Sequence, residues 1–585
     1  MGDTNNSLEQ IDAAIRNRDL SRAQALLEAF NRNPARRTLD TLLRYAYVLE
    51  ARQQFGEAAS AFEIAEAHAT QPADKVHILN RISDLIYLQH KDKISRSDLA
   101  RMASFLERSV ALDATAPNAS AMIKLCNLYK TIDDIDGLMK QSTRLAALPD
   151  YFPEAQLWLA TAYQQLGDRP RGLAHLEQAK SSVARLDKRQ LLWLLSLLVQ
   201  FRAFGPAQEL LDICRERQFK DELLLELQAQ VYFETQDTQG VLDIATEATA
   251  AGCTDSATAR RLYYYRGKAL EEVGKFTEAF ESFQRMNDIA RRMYAPTDET
   301  DIVQAWRDVE PDTIPSFPAV EQLPYHHVFM VAFPRSGTTL LETILDTHPQ
   351  ISTLSEVDTL LEIRREIERL GIVYPAGLST LTHERVASLR KIYMDATKKY
   401  LDDTAHCSVV IDKLPLNILH LPLIRMLFPD ARFILSLRHP LDVCLSCFQQ
   451  DFLLNNEMAL FTNLEGCFTR YRDVMMLFEN FRDKLDLDLH TVRYEDLVED
   501  FEGTATGVFD FLGIRPDDSY RSFHTVNQEK LINTPSRSQV VRPLYQSSRF
   551  KWQHYWQYLQ PHVHHIRALI DTYGYPEPDG PADGL

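Results

Sequence analysis

The 585-residue sequence is poor in cysteine, in glycine and in positive charge. Seven cysteines (126, 214, 253, 407, 444, 447 and 467) are too sparse for a disulfide framework. An odd, scattered set fits a reducing compartment instead. Lys and Arg total 64 against 82 Asp and Glu, a formal net charge of −18. That balance argues against a protein that wraps nucleic acid, which needs a basic face, but leaves room for a local basic pocket. The longest apolar stretch, near Leu191 to Phe201, is interrupted and far below the roughly 18 residues of a membrane span. The opening MGDTNNSLEQ has neither a basic start nor an apolar core, so no secretory signal is expected. Gly2 suits myristoylation, but Asp3 and the want of a nearby basic patch speak against it. A cytoplasmic protein without a membrane span is the expectation.

What is present begins with a period. Small or apolar residues recur at Ala23, Ala58, Ser104, Leu138, Gly172, Ala207, Val241 and Ala279, with gaps of 35, 46, 34, 34, 35, 34 and 38. The 46-residue gap is read as an insertion around KDKISRSD. The pattern LAxxYxxxGxxxxGxxxLxxA runs from Leu159 to Ala179, and Gly267, Leu270, Gly274, Ala279 and Phe283 repeat it. A helix–turn–helix unit of about 34 residues resembles the tetratricopeptide repeat. The resemblance covers residues 8–293 and implies an all-α superhelix whose concave face takes a peptide, a protein acceptor or a docking partner. Of Tyr263, Tyr264 and Tyr265, one or two are expected in the core and the rest at that face.

Residues 295–322 carry seven acids against Arg307 alone, with prolines at 296, 311, 315 and 318. The stretch 294–325 is therefore read as a linker. The tail 576–585, PEPDGPADGL, is expected to be disordered. Between them, over 326–575, the apolar runs HVFMVAF, SVVIDK, RFILSLR and LHTVRYE alternate with amphipathic helices. Short buried runs separated by helices predict a parallel α/β sheet. Ligands of such sheets sit beyond the carboxyl ends of the strands. Polar residues follow each run there: Arg335 to Thr339, Asp412-Lys413, Arg438-His439 and Arg493-Tyr494-Glu495.

The first of these, FMVAFPRSGTTLLETILDTHP, has the outline of a phosphate-binding loop. A strand that opens a helix through a glycine turn aims free N–H groups and the helix dipole at an anion. The Walker loop G-x-x-x-x-G-K-[ST] is not met, because the first Gly is missing and Thr338 replaces its Lys. A second strand–Arg–x–Pro–helix, RFILSLRHPLDVCLS, brings Arg438 and, two turns on, Ser446. Two anion sites on two strand ends fit a nucleotide phosphorylated at both ends of its ribose.

PRSGTT after a strand, followed by strand–Arg–x–Pro–helix–Ser, resembles the sulfotransferases that use 3′-phosphoadenosine-5′-phosphosulfate (PAPS) as co-substrate. The likeness is nearest to the tyrosylprotein sulfotransferases and their repeat-fused bacterial relatives. It implies that Arg335, Ser336, Gly337, Thr338 and Thr339 hold the 5′-phosphosulfate, and that Arg438 and Ser446 hold the 3′-phosphate. Tyr494 would lie by the nucleotide and Lys551 would contact a phosphate. Glu356, 21 residues after Arg335, matches the catalytic Glu, Lys413 the catalytic Lys and Ser536 the catalytic Ser. Where the tyrosine enzymes carry an Arg two residues after that Glu, this chain has Asp358. The acceptor is thus a tyrosine in a protein or peptide, a sugar hydroxyl or a small alcohol. No metal is expected, because a sulfuryl group carries less charge to neutralise than a phosphoryl group.

Two rivals stand beside this reading. A magnesium-dependent P-loop kinase or NTPase would use Asp412 in SVVIDK as its metal ligand. A non-catalytic repeat scaffold would use none of these residues. Cys444 and Cys447 on an apolar helix are read as core thiols. His562, His564 and His565, without a nearby carboxylate in sequence, are read as a solvated helix face.

Overall fold

A computed structural model describes residues 2–91, 93–112, 118–298, 300–318, 325–401, 407–523 and 549–578. The chain divides into two compact units, Met1–Phe219 and Lys220–Leu585.

The first unit consists of helical repeats. Each second helix of a pair places its fourth residue in the core: Ala23, Ala58, Leu138 and Ala207 are all 0% exposed. At Gly172 an added Cβ would lie 2.2 Å from the Phe201 ring, so only glycine allows that approach. The amide of this fourth residue donates to the N-cap carbonyl, as from Ala23 to Asp19 and from Leu138 to Asp134. Asp19, Asp134 and Asp168 also accept from the first-turn amides of Arg22, Gly137 and Arg171. Such caps contribute about 0.5–2 kcal/mol each. The residue before the cap turns left-handed, with φ 57° at Arg18 and 58° at Asp133.

Ser104 breaks the series. It is exposed, and the residue that occupies the fourth position of its helix, Arg96–Leu112, is Leu99. The extra length of this repeat lies largely in the preceding helix, Pro72–His90, rather than in the KDKISRSD loop alone. Apolar periodicity sets where the helix faces; it does not reveal where an inserted turn has gone.

The second unit starts with four repeat helices, Glu222–Glu234, Thr238–Ala250, Ala257–Glu272 and Phe276–Met293. It continues into a five-stranded sheet ordered β2-β3-β1-β4-β5. The strands are β1 (His326–Ala332), β2 (Ile351–Ser355), β3 (Val409–Lys413), β4 (Arg432–Leu437) and β5 (Asp488–Arg493), and every pairing is parallel. Phe329, Val331, Phe433 and Leu435 pack on one face, Val328, Met330, Ile411 and Ile434 on the other. Burial on both faces explains why these runs are continuously apolar instead of alternating. β2 was not legible as a strand: ISTLS is an edge strand with two core residues, Ile351 and Leu354.

Leu270, Ala279, Phe280 and Phe283 of the last repeat pair belong to the same core as β1 and β4. Phe283 closes on Gly267, where a Cβ would lie 2.6 Å from its ring. The acidic stretch that follows is not a bare tether. Val303 and Trp306 are buried, and the Trp306 indole donates to the Leu419 carbonyl at 2.9 Å. Their apolar side chains outweigh the surrounding acids, and Ile302–Ala305 forms one helical turn.

Candidate active site

The carboxyl ends of β1, β3 and β4 lie side by side, so the three polar turns that follow them converge. After β1 the chain passes through Arg335 (φ 71°) and Gly337 (φ 95°) into the helix Thr338–Leu345. Gly337 is required twice: for its left-handed φ, and because a Cβ would lie 2.8 Å from the Tyr494 ring. The N-cap residue is Gly337, which has no side chain to cap the helix, and this leaves its first-turn amides to be met by an anion. Ser336, Thr338 and Thr339 are buried around the turn, and the Ser336 carbonyl accepts from Ser436 of β4.

Lys413 ends β3, level with Met330 of β1, and is 0% exposed. Its ammonium lies 2.9 Å from Glu356 Oε1 and 2.9 Å from Glu342 Oε2. Glu356 reaches it from a left-handed residue (φ 52°) whose amide extends the β2–β3 ladder by donating to the Lys413 carbonyl at 2.8 Å. Glu342 was not singled out from sequence. Its signal was there: it is the lone charge in TTLLETIL, a helix buried at every residue. Burial raises its carboxyl above the ordinary value, against the pull of Lys413.

On the β4 side, Arg438 stacks 4.8 Å over the Tyr494 ring and faces Asp442 at 3.7 Å. Asp442, fully buried and pushed up to about 6 by burial, accepts from the amides of Phe550 at 2.8 Å and Trp552 at 2.9 Å. It thereby fixes the segment that carries Lys551. The Lys551 ammonium meets Glu271 of the last repeat at 2.6 Å. Ser446, grouped with Arg438 in the sequence reading, accepts from Arg335 Nε at 3.1 Å and so joins the two loops directly. His439 is held neutral at about 3, by burial first and then by Arg438 and Arg493. Ser536 lies outside the described residues.

A cavity of about 180 Å³ opens between the turn after β1, Glu356 and the residues that follow β3. Arg335, Thr338, Thr339 and Glu356 form its polar side; Leu416, Phe452 and Met458 form an apolar side.

The side chains do not fit the magnesium rival. Successive strand residues point to opposite faces, so Asp412 turns away from Lys413. Its carboxylate accepts from Thr359 and Tyr393 at 2.6 Å each and from Asn417 at 3.3 Å. Cys444 and Cys447 are buried free thiols. A carboxylate does stand beside the C-terminal histidines: Glu465, brought by the helix Leu464–Lys484, pairs with His562 and His565 at 2.8 Å. Sequence distance hid it.

Residues 327–518 match the model of the Sulfotransferase family. The chain carries a sulfotransferase-family domain. This domain holds Arg335, Glu356, Lys413, Arg438 and Tyr494, and the helical repeats precede it. An uncharacterized protein of Aquifex aeolicus is 26% identical over 50% of this chain and 39% of its own length. The nodulation protein NoeE of Sinorhizobium fredii is 30% identical over 20% of this chain and 30% of its own. A Caenorhabditis briggsae protein named, provisionally, as a protein-tyrosine sulfotransferase is 28% identical over 19% of this chain and 39% of its own. The chain thus spans under two fifths of the length of each of these relatives. Among solved structures, the sulfotransferase domain of the Synechococcus PCC 7002 olefin synthase aligns with a TM-score of 0.33 at 20% identity, over 45% of this chain and 100% of that one. Among the described residues no helix is long and apolar enough to cross a membrane.

Proposed function

We propose that the sulfotransferase-family domain takes PAPS across the ends of β1 and β4 and transfers its sulfuryl group to an acceptor hydroxyl. One observation carries the reading: Lys413 is buried between Glu342 and Glu356, and Glu356 lines the cavity beside Arg335, Thr338 and Thr339. The donor set also fits the nucleotide. The uncapped helix start behind Gly337 suits the 5′-phosphosulfate, and Arg438, braced by Tyr494 and Asp442, suits the 3′-phosphate.

The nucleotide supplies a sulfuryl group activated as a mixed anhydride; the side chains do the rest. Glu356 accepts the proton of the attacking hydroxyl as its oxygen bonds to sulfur. Such general-base assistance contributes typically 10²–10⁴-fold. Lys413 has three N–H donors, of which two go to carboxylates. The third is left for the phosphate oxygen that keeps the electron pair when its bond to sulfur breaks. Glu342 keeps the ammonium in place while Glu356 changes protonation. No lysine is needed in the loop, because β3 delivers one from the neighbouring strand.

The apolar side of the cavity suits the ring of a phenol, which favours tyrosine in a protein or peptide over a sugar. The likeness to the Caenorhabditis briggsae protein supports the same acceptor. Asp358 does not leave that edge without a cation, since Arg364 pairs with it at 2.7 Å. The repeats before Phe219 would present the acceptor protein or a docking partner. Calorimetry with 3′-phosphoadenosine-5′-phosphate (PAP) against AMP tests the donor site; tight PAP and poor AMP binding is expected, and equal affinities would remove the 3′-phosphate assignment. Labelled PAPS with tyrosine peptides and a small phenol then tests the acceptor.

A further inference from the structure

The helix Ala257–Glu272 of the last repeat carries Arg260, Tyr264, Lys268 and Glu271 at spacings that keep them on one stripe. The stripe is polar, yet it faces the sheet domain. Arg260 pairs with Asp451 at 3.0 Å, with side chains only 15% and 13% exposed. Glu271, 8% exposed at its side chain, accepts from Lys551, from Gln449 at 2.7 Å and from Tyr555 at 2.6 Å. Lys268 lies 3.6 Å from Glu271 and is flanked by the rings of Phe283 at 5.1 Å and Tyr264 at 5.7 Å. Burial first, and then the charges of Lys551 and Arg335, bring its ammonium down to about 7 against the pull of Glu271.

Packing alone does not call for this. Apolar residues of similar volume serve a buried contact as well as ion pairs do, or better. Here two cations from separate segments, Lys268 and Lys551, share the single carboxylate of Glu271, which Gln449 ties to the end of the helix that carries Ser446. Like charges brought together at a cost mark a place where an oxyanion is bound.

We infer that the last repeat forms the outer wall of the donor site. Lys268 takes an oxygen of a phosphate or sulfate ester together with Arg335 and Lys551, and Glu271 positions Lys551 for it. The inference rests on the donor reading above, and it makes the final repeat a nucleotide-binding element as well as part of a recognition array.

The test uses the full chain with PAP and, separately, inorganic pyrophosphate, in calorimetry. Lys268→Met is expected to weaken both about tenfold, as loss of one charge-assisted contact does. Glu271→Gln should weaken both to a similar degree. Glu271→Gln combined with Lys551→Ala should be no worse than Lys551→Ala alone, because Glu271 acts through Lys551. Glu272→Gln, an exposed neighbour on the same helix, should change neither. Unchanged binding of both probes by Lys268→Met and Glu271→Gln, with wild type binding PAP, overturns the wall. Wild type that binds pyrophosphate but prefers neither PAP nor AMP, with binding lost in Lys268→Met, supports the wall and overturns the donor reading. Wild type that binds neither probe overturns both.

Discussion

On the β1–β3 side of the cleft, opposite charges meet at 2.9 Å and all three belong to the sheet domain: Glu342, Lys413 and Glu356. On the β4 side each cation is braced by a different part of the fold. Arg438 has Asp442 and the Tyr494 ring, and Lys551 has Glu271 of a repeat helix. The first arrangement suits proton transfer and leaving-group charge, because its groups can exchange partners without leaving the cluster. The second suits holding, because its cations are fixed from outside. Substitutions on the first side should therefore act on kcat, and on the second side on nucleotide affinity.

Lys413→Ala should break that separation most severely. It removes the cation proposed for the leaving group and strands Glu342 and Glu356 near each other, so we expect kcat to fall about 10³-fold or more. Breaking a buried pair also costs about 3–5 kcal/mol, which urea unfolding would register, and PAP binding should weaken too. Glu356→Gln keeps shape and removes basicity. It should lower kcat about 10²-fold with PAP affinity nearly unchanged; retention of most activity on the true acceptor would place the base elsewhere.

Arg438→Met tests the holding side. PAP affinity should drop by about 1.5–3 kcal/mol, AMP affinity should hardly change, and saturating PAPS should recover most of kcat. A loss confined to kcat would dissolve the contrast between the two sides. Glu342→Gln should cost less, about three- to tenfold in kcat, since one carboxylate still pairs with Lys413. The smallest effect on catalysis is expected at Asp412, one residue from Lys413 but on the opposite face of the sheet, where the change falls on stability. Burial pushes its carboxyl up to about 6 from 3.8. A carboxyl raised in the folded chain lends stability that is full below about pH 4 and is lost as pH rises through 6. Asp412→Asn, which carries no such proton, should therefore gain on wild type by about 1–3 kcal/mol between pH 4 and 7. Urea unfolding at both pH values would show it.

The same division runs through what could be read in advance. Motifs contiguous in sequence were legible, because strand, turn and helix start are adjacent in the chain. PRSGTT and RHPLDVCLS announced the strand–turn–helix units that follow β1 and β4, and the repeat period announced paired helices. Partners supplied by distant segments were not legible. Glu342 showed only as a lone charge in an apolar helix, and Glu271 gave no sign, being separated from Lys551 by the whole sheet domain. β2 escaped because an edge strand with two core residues has no run to detect.

The sequence by itself determined the helical repeats, the parallel sheet and the residue types at each strand end, since each follows from local period, turn chemistry and apolar burial. Only the tertiary structure decided which charges meet. It set Lys413 between two carboxylates, tied Ser446 to Arg335 and packed the last repeat pair into the core of the sheet domain. A buried charge is stable only beside its partner, and strand order, a long-range property of the chain, decides which partner that is.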